Sequence, residues 1–343
     1  MTSSNRFPDS SSASALSSYS GAQNTRCHEL ISILEKCSAR NNACAVLLSG
    51  GLDSAILASV SRPELAVTVV LSAHAPDFAY SKMAAVKFCK RHSISIVSDK
   101  SIPLLVDSVI KTLKTFDPIE IRNSLVVLEG IRAAKLEGCD KLMTGDGADE
   151  LFAGYNFLTR YHSDLPRLQK ELERLWSVMH FSSLALGHAE GVRISTPYLD
   201  SEFVEFSKSL DVSEKVGTHD GVSMGKFLLR RCFEEVIGPE LAWRRKMAQE
   251  EGSGMSEIKT ILESGISDDD FARGAKAAAA QKVKLRSKEH MFYYQSYLKY
   301  FDPPDSYSSE MDHSAGRCPE CRALFRTAGK FCRTCGAFPV DPR

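Results

Sequence analysis

The stretch VLLSGGLDSAIL, residues 46–57, passes from an apolar run through two glycines and an aspartate into an apolar helical pattern. A glycine turn between a strand and a helix lets backbone N–H groups approach an anion closely, and the helix N-terminus favours negative charge. Ser49, Gly50, Gly51 and Ser54 therefore form a candidate phosphate cradle, with two hydroxyl donors. A P-loop would place a lysine against the terminal phosphates. This loop has none, so it suits a phosphate group that leaves as a unit. Asp53 would repel phosphate unless a divalent cation lay between them, which points to Mg²⁺. The bland alternative is a tight strand-to-helix turn.

Outward from this loop the chain alternates. Apolar or β-branched runs at 43–48, 65–73, 93–98 and 141–144 read as strands, and helical patterns cover 25–40, 53–61, 81–92 and 102–136. Such alternation predicts parallel βαβ units in an open doubly wound α/β sheet, with ligands beyond the carboxyl ends of the strands. The second glycine-rich stretch, TGDGADELFAGY (144–155), also follows a strand and should face the same crevice. It gathers Asp146, Asp149 and Glu150, and Asp149 is placed to share the metal with Asp53. A glycine turn before an acidic first helical turn would read similarly. From 150 to 243 the signal is mostly helical, 247–255 reads as a mobile loop, and 268–301 as one long helix with a basic stretch.

Basic and acidic residues balance at 43 each, so whole-chain charge does not indicate nucleic acid. No apolar run approaches the roughly 18 residues of a membrane span. Residues 1–20 hold nine serines and one arginine and lack an apolar core, which excludes a secretory signal. A disordered tail over 1–24 and a cytoplasmic location are expected. Cys27, Cys37, Cys44, Cys89, Cys139 and Cys232 show no ligand spacing and are expected to be ordinary thiols in a reducing compartment. The histidines show no triad or ligand spacing.

Cys318, Cys321, Cys332 and Cys335 form a C-x₂-C-x₁₀-C-x₂-C pattern. Each pair can bite one tetrahedral Zn²⁺, so 317–338 reads as a zinc ribbon whose metal is structural. The Pro- and Ser-containing segment 302–316 reads as a linker, leaving the ribbon mobile and uncoupled from the body. On that expectation, deleting 317–343 leaves activity intact. Arg317, Arg322, Arg326 and Arg333 with Phe325 suit either tRNA or a protein partner.

SGGLDS followed by GDGADELFAGY resembles the synthetase domain of asparagine synthetases, among the N-type ATP pyrophosphatases. The likeness continues in STPYLDSEFVEF (195–206) and GKFLLRRCFEEVIGPELAWRRK (225–246). It covers roughly 25–260, within a single domain at 25–301. The resemblance implies an adenine nucleotide alpha-hydrolase-like sheet with a helical layer completing the site. It implies that ATP is split between its α and β phosphates, that a carboxylate becomes an acyl-adenylate, and that nitrogen displaces AMP. Ser49, Gly50, Gly51, Asp53 and Ser54 would then bind pyrophosphate and metal, Leu48 and a residue near Leu71 the adenosine, and Gly145 the nucleotide through its backbone. Asp149 would bind metal, Lys246 would stabilise charge on phosphorus, and Asp146, where the family has glutamate, would organise acceptor and nucleophile.

Two departures stand out. A glutamine-using member begins with a catalytic cysteine and a glutaminase domain; this chain begins Met-Thr-Ser. Free ammonia, a partner's ammonia or another nucleophile is therefore expected. Arg193 and Ser195 stand where the family has glutamate and arginine, a charge change expected in the acceptor half that puts aspartate in question. The alternative function is a tRNA-modifying enzyme that adenylates a nucleoside and grips RNA with its ribbon. The second loop belongs to the amide-forming branch and argues against it.

Overall fold

The computed structural model describes residues 21–307, 315–326 and 330–340. Its centre is a five-stranded parallel sheet: β1 (Ala45–Leu47), β2 (Leu65–Val70), β3 (Arg91–Ile96), β4 (Lys141–Met143) and β5 (Arg193–Ser195), in the order β3-β2-β1-β4-β5. Helices α1 (Gly21–Arg40), α2 (Leu52–Ser61), α3 (Pro76–Phe88), α4 (Ile102–Leu113) and α5 (Pro118–Leu136) supply the cover and the first crossovers. The expected doubly wound α/β architecture is present. Side chains alternate across the strands. Ala45, Leu65, Val67, Val69 and Leu142 enter one core with α4 and α5, while Val46, Leu48, Ala66 and Met143 enter another with α1, α2 and α3. Burial on both faces explains why β2, LAVTVV, is apolar at nearly every position. Because β1 and β4 are neighbours, the two glycine loops emerge side by side.

Several boundaries differ from the sequence reading. The helix expected at 81–92 runs Pro76–Phe88, because Arg91 and His92 already pair with Leu65 and Ala66 of β2. The fifth strand was not anticipated; it has only three residues and sits inside a helical stretch. The expected long helix over 268–301 is two, Asp268–Ala280 and Lys288–Tyr297, and Lys282 between them has φ 62°. The stretch read as a mobile loop contains a helical turn, Gln249–Gly252. It is pinned there: the Leu71 N–H donates to the Ser253 carbonyl at 2.8 Å, and Arg122 bridges Glu250 and Glu289.

Two cysteines expected as thiols are paired, Cys27 on α1 with Cys232 on the helix Phe227–Ile237; Cys37, Cys44, Cys89 and Cys139 are free. The serine-rich tail lies outside the described residues up to position 20, and helix α1 already begins at Gly21.

The largest correction concerns the ribbon, which is docked rather than tethered freely. The Phe116 N–H donates to the Thr334 carbonyl at 2.8 Å, the Lys284 N–H to the Glu320 carbonyl at 2.7 Å, and the Thr115 hydroxyl to the Arg333 carbonyl at 2.7 Å. The Arg286 guanidinium donates to the Cys335 carbonyl and lies 2.8 Å from the Glu320 carboxylate. All four cysteines are buried within the core cluster of α4 and α5. Of the expected linker, residues 302–307 are fixed through Asp305, which pairs with Lys282, Arg317 and Arg322; residues 308–314 lie outside the described residues.

One buried cation is not explained by the sheet or the site. Lys215 is fully buried, its ammonium lacks a hydrogen-bond partner among the described residues, and the Trp176 ring lies 4.9 Å away. Burial pushes its pKa down from 10.5 to about 8. Lys215→Met should therefore raise stability by about 1–3 kcal/mol at neutral pH, the charge having been held against its desolvation cost. In the wild type, stability attributable to this group should rise between pH 8 and 10.5, where the unfolded chain keeps the proton and the folded chain has lost it. Thermal melts of both proteins across that range check the sign; a lower midpoint for Lys215→Met would contradict it.

Candidate active site

A cleft of about 290 Å³ opens at the carboxyl ends of β1 and β4, lined by both glycine loops and by Lys226, Arg244 and Lys246. The first loop is shaped by close approach. Gly50 has φ +70°, and a Cβ there would lie 2.3 Å from the Ser81 backbone nitrogen. Only glycine lets the loop sit so close to α3. The Ser49 and Ser54 hydroxyls lie 3.2 Å apart, with Ser54 donating to the Gly51 carbonyl. The N-terminus of the ten-residue α2 follows directly. Arg244 locks this loop from the far side, donating to the Gly50 carbonyl at 3.0 Å, pairing with buried Asp77 at 2.7 Å, and stacking 4.1 Å over Tyr80.

Asp53 and Asp149 come together as expected, and two lysines join them. The Lys226 ammonium lies 2.5 Å from Asp53 Oδ2 and 2.6 Å from Asp149 Oδ1, and Lys246 lies 2.7 Å from Asp149 Oδ2. Burial alone would raise the Asp149 pKa, but the two ammonium groups outweigh it and hold the carboxylate well below its usual range. Burial would likewise lower Lys246, yet Asp149 and Asp53 raise it, so both partners are ionised. Gly154 makes the arrangement possible: a Cβ there would lie 2.0 Å from Asp149 Oδ1 and 2.2 Å from Lys226 Cε.

Lys226 was not singled out by sequence reasoning, although it stands in the 225–246 stretch that carries the resemblance. A lysine after a glycine gives no sign that it is buried. Its backbone has φ 57° and donates to the Phe152 carbonyl at 2.7 Å, which turns the side chain onto the aspartates. Glycine at 225 is required for that contact, since a Cβ would meet the Ala153 carbonyl at 1.9 Å.

The site residues fit a divalent metal. Asp53 Oδ1 is buried and makes no hydrogen bond among the described residues, while Asp149 Oδ1 faces the Lys226 ammonium at 2.6 Å. Carboxylate oxygens beside an anion loop are the hard ligands that Mg²⁺ takes. Asp146 is half-buried in the lining of the cleft and accepts hydrogen bonds from Thr144, at 2.8 Å, and from Ser183. Burial raises its pKa, the two hydroxyls oppose the rise, and Asp149 adds to it. Gly145 and Leu48 line the cleft. Leu71 does not: the β2 side chain in the wall is Val69, while Leu71 holds the 249–253 turn through its backbone. The Arg193 and Ser195 substitutions also fall away from the cleft. Arg193 pairs on the surface with Asp140, and the Ser195 hydroxyl donates to the Asn41 carbonyl.

The ribbon sulfurs are set for one ion. Cys318 and Cys335 Sγ lie 3.8 Å apart and Cys321 and Cys332 Sγ 3.7 Å apart, all four buried. A tetrahedron with Zn–S bonds of about 2.3 Å has edges of about 3.8 Å.

Comparison with known proteins gives the family. The family model described as asparagine synthase matches residues 30–187 and 184–315. A probable glutamine-hydrolysing asparagine synthetase of Dictyostelium discoideum is 31% identical over 264 residues, 66% of this chain and 46% of that protein. Asparagine synthetase B of Escherichia coli K12 is 28% identical over 240 residues, 64% and 43% respectively. An asparagine synthetase of Brassica oleracea is 25% identical over 282 residues, covering 76% of this chain and 48% of its own. The chain thus spans about half the length of the curated relatives it matches. With the family model covering most of its length and both glycine loops in place at adjacent strand ends, the chain belongs to the asparagine synthase family.

Proposed function

We propose that the protein is an ATP-dependent carbon–nitrogen ligase that converts a carboxylate, aspartate or a related acid, to its acyl-adenylate and passes the acyl group to nitrogen. The observation that carries this reading is the lysine-bridged pair Asp53–Asp149 beside a phosphate loop that has no lysine of its own. Ser49, Gly50, Gly51 and Ser54 hold the departing pyrophosphate. Asp53 and Asp149 would hold Mg²⁺, which supplies charge neutralisation between the phosphates. Lys246 and Lys226 face the α-phosphorus region with fixed positive charge, preorganised by Asp149 rather than by solvent. Asp146 positions the acceptor through the Thr144 and Ser183 hydroxyls. The ribbon cysteines hold zinc in a structural role.

The RNA-binding alternative is not favoured. Much of the basic stretch is engaged within the fold, Lys282 with Asp305, Lys284 and Arg286 with Glu320, and Lys288 with Asp268. Of the ribbon arginines, Arg317 and Arg322 pair with Asp305, and Arg333 donates to the Val178 carbonyl. Among the described residues no helix is long and apolar enough to cross a membrane.

ATP–pyrophosphate exchange against a panel of amino acids, with nucleotide products identified, tests the reading. An acid-dependent exchange with AMP and pyrophosphate as products is expected. ADP and phosphate as the only products would sink it.

A further inference from the structure

A second cavity, of about 390 Å³, shares Glu150, Tyr155 and His180 with the cleft. Its remaining wall includes Glu120 from the first turn of α5 and, from the ribbon, Phe331 and Arg333. We propose that this ribbon-walled cavity is the binding site for an organic primary amine, which serves as the nitrogen nucleophile. The inference rests on the acyl-adenylate reading for its chemistry, though not for its binding.

Size is the first argument. A molecule as small as ammonia needs a space like that of one water, about 30 Å³. This cavity instead falls among pockets that take small organic ligands, about 300–1,000 Å³. Charge is the second. Glu150 Oε1 accepts from the Tyr155 hydroxyl at 2.6 Å, and Glu120 Oε1 accepts from Ser124 at 3.2 Å. Two carboxylates thus line the cavity against one guanidinium, that of Arg333, a balance that favours a cation. Burial and nearby Arg333 lower the His180 pKa, so the imidazole does not oppose a cation. The apolar wall, from the helix Leu165–Val178 and from Phe331, takes the body of the amine. The third argument is continuity: Glu150 lies beside Asp149 and belongs to both cavities, so a nitrogen held there borders the acyl group.

The chemistry balances without a further reactant. The captured ammonium loses one proton to solvent, and the neutral amine attacks the acyl carbon. The bond from that carbon to the phosphate oxygen breaks, its electron pair leaving with AMP. The new amide nitrogen sheds a second proton to solvent.

Calorimetric titration of the full-length protein with pentylamine, and separately with ammonium chloride, reads binding without requiring turnover. Pentylamine should bind at least about tenfold more tightly than ammonium, and Glu120→Gln should weaken it by about tenfold, one charge-assisted contact. Phe331→Trp, on the exposed side of the ribbon, should obstruct the cavity and weaken pentylamine similarly, with far-UV circular dichroism unchanged. Equal affinity for pentylamine and ammonium, or pentylamine affinity unchanged in both variants, would overturn the proposal. Pentylamine binding as expected in a protein that shows no pyrophosphate exchange would support the cavity and fault the adenylate reading.

Discussion

Asp149→Asn is expected to lower the rate of pyrophosphate exchange at least about a hundredfold, the loss typical when transition-state charge stabilisation is removed. Asparagine keeps the shape of the side chain but not its charge. Lys246 then loses its ion-pair partner among the described residues, and Lys226, whose side chain is 2% exposed, keeps Asp53. Both ammonium groups lose their fixed orientation, and one metal oxygen is lost. The wild-type carboxylate also links stability to pH. Its folded pKa is depressed below the unfolded value of 3.8, so its contribution is full above that value and lost as pH falls through the folded pKa. The variant should therefore melt lower at neutral pH and show a flatter acid limb. Steady-state exchange and thermal melts at several pH values measure both effects. Near-normal exchange would mean that Asp149 only begins a helix.

On the proposal that the four ribbon cysteines hold zinc, removal of that metal is expected to destabilise the whole protein. A module this small has no core of its own, so its folding energy comes from the ion. Its cysteines share a core cluster with Phe116, Tyr294 and Tyr297, and stripping the metal uncovers that face. Partial exposure of three aromatic side chains costs about 3–5 kcal/mol, at roughly 1.5–3 kcal/mol for each fully exposed one. At about 2–4 °C per kcal/mol, the melting midpoint should fall by about 10 °C. Cys321→Ser should behave like chelator treatment, and deletion of 317–343 should abolish exchange rather than spare it. Calorimetry with and without chelator, beside zinc analysis, measures this. An unchanged midpoint after quantitative zinc loss would show that the docked ribbon contributes nothing to the body.

Legibility in the sequence followed the range of each signal. The two glycine loops are local, so strand, turn and helix N-terminus could be read from a few consecutive residues. Their meeting at β1 and β4 follows from the parallel alternation. Lys226 was silent because its burial depends on Gly225 packing against Ala153, 72 positions earlier in the chain. Asp77 and Arg244 were silent for the same reason: neither has a local pattern, and their pairing closes the loop from 167 residues apart. The segment 302–316 misled in the opposite direction. Its prolines, serines and acids match a linker, but Asp305 is the acid that three basic residues need, and composition does not show who pairs with whom. The Cys27–Cys232 pair, 205 residues apart, likewise has no spacing to reveal it.

The central claim is that the acceptor's carboxylate attacks the α-phosphorus of ATP. Turnover with an acceptor labelled with ¹⁸O in its carboxylate, followed by mass spectrometry of the nucleotide product, tests it directly. One labelled oxygen should be found in AMP, and none in pyrophosphate. Label appearing in inorganic phosphate, with ADP as the nucleotide, would place the attack on the γ-phosphorus and contradict the account.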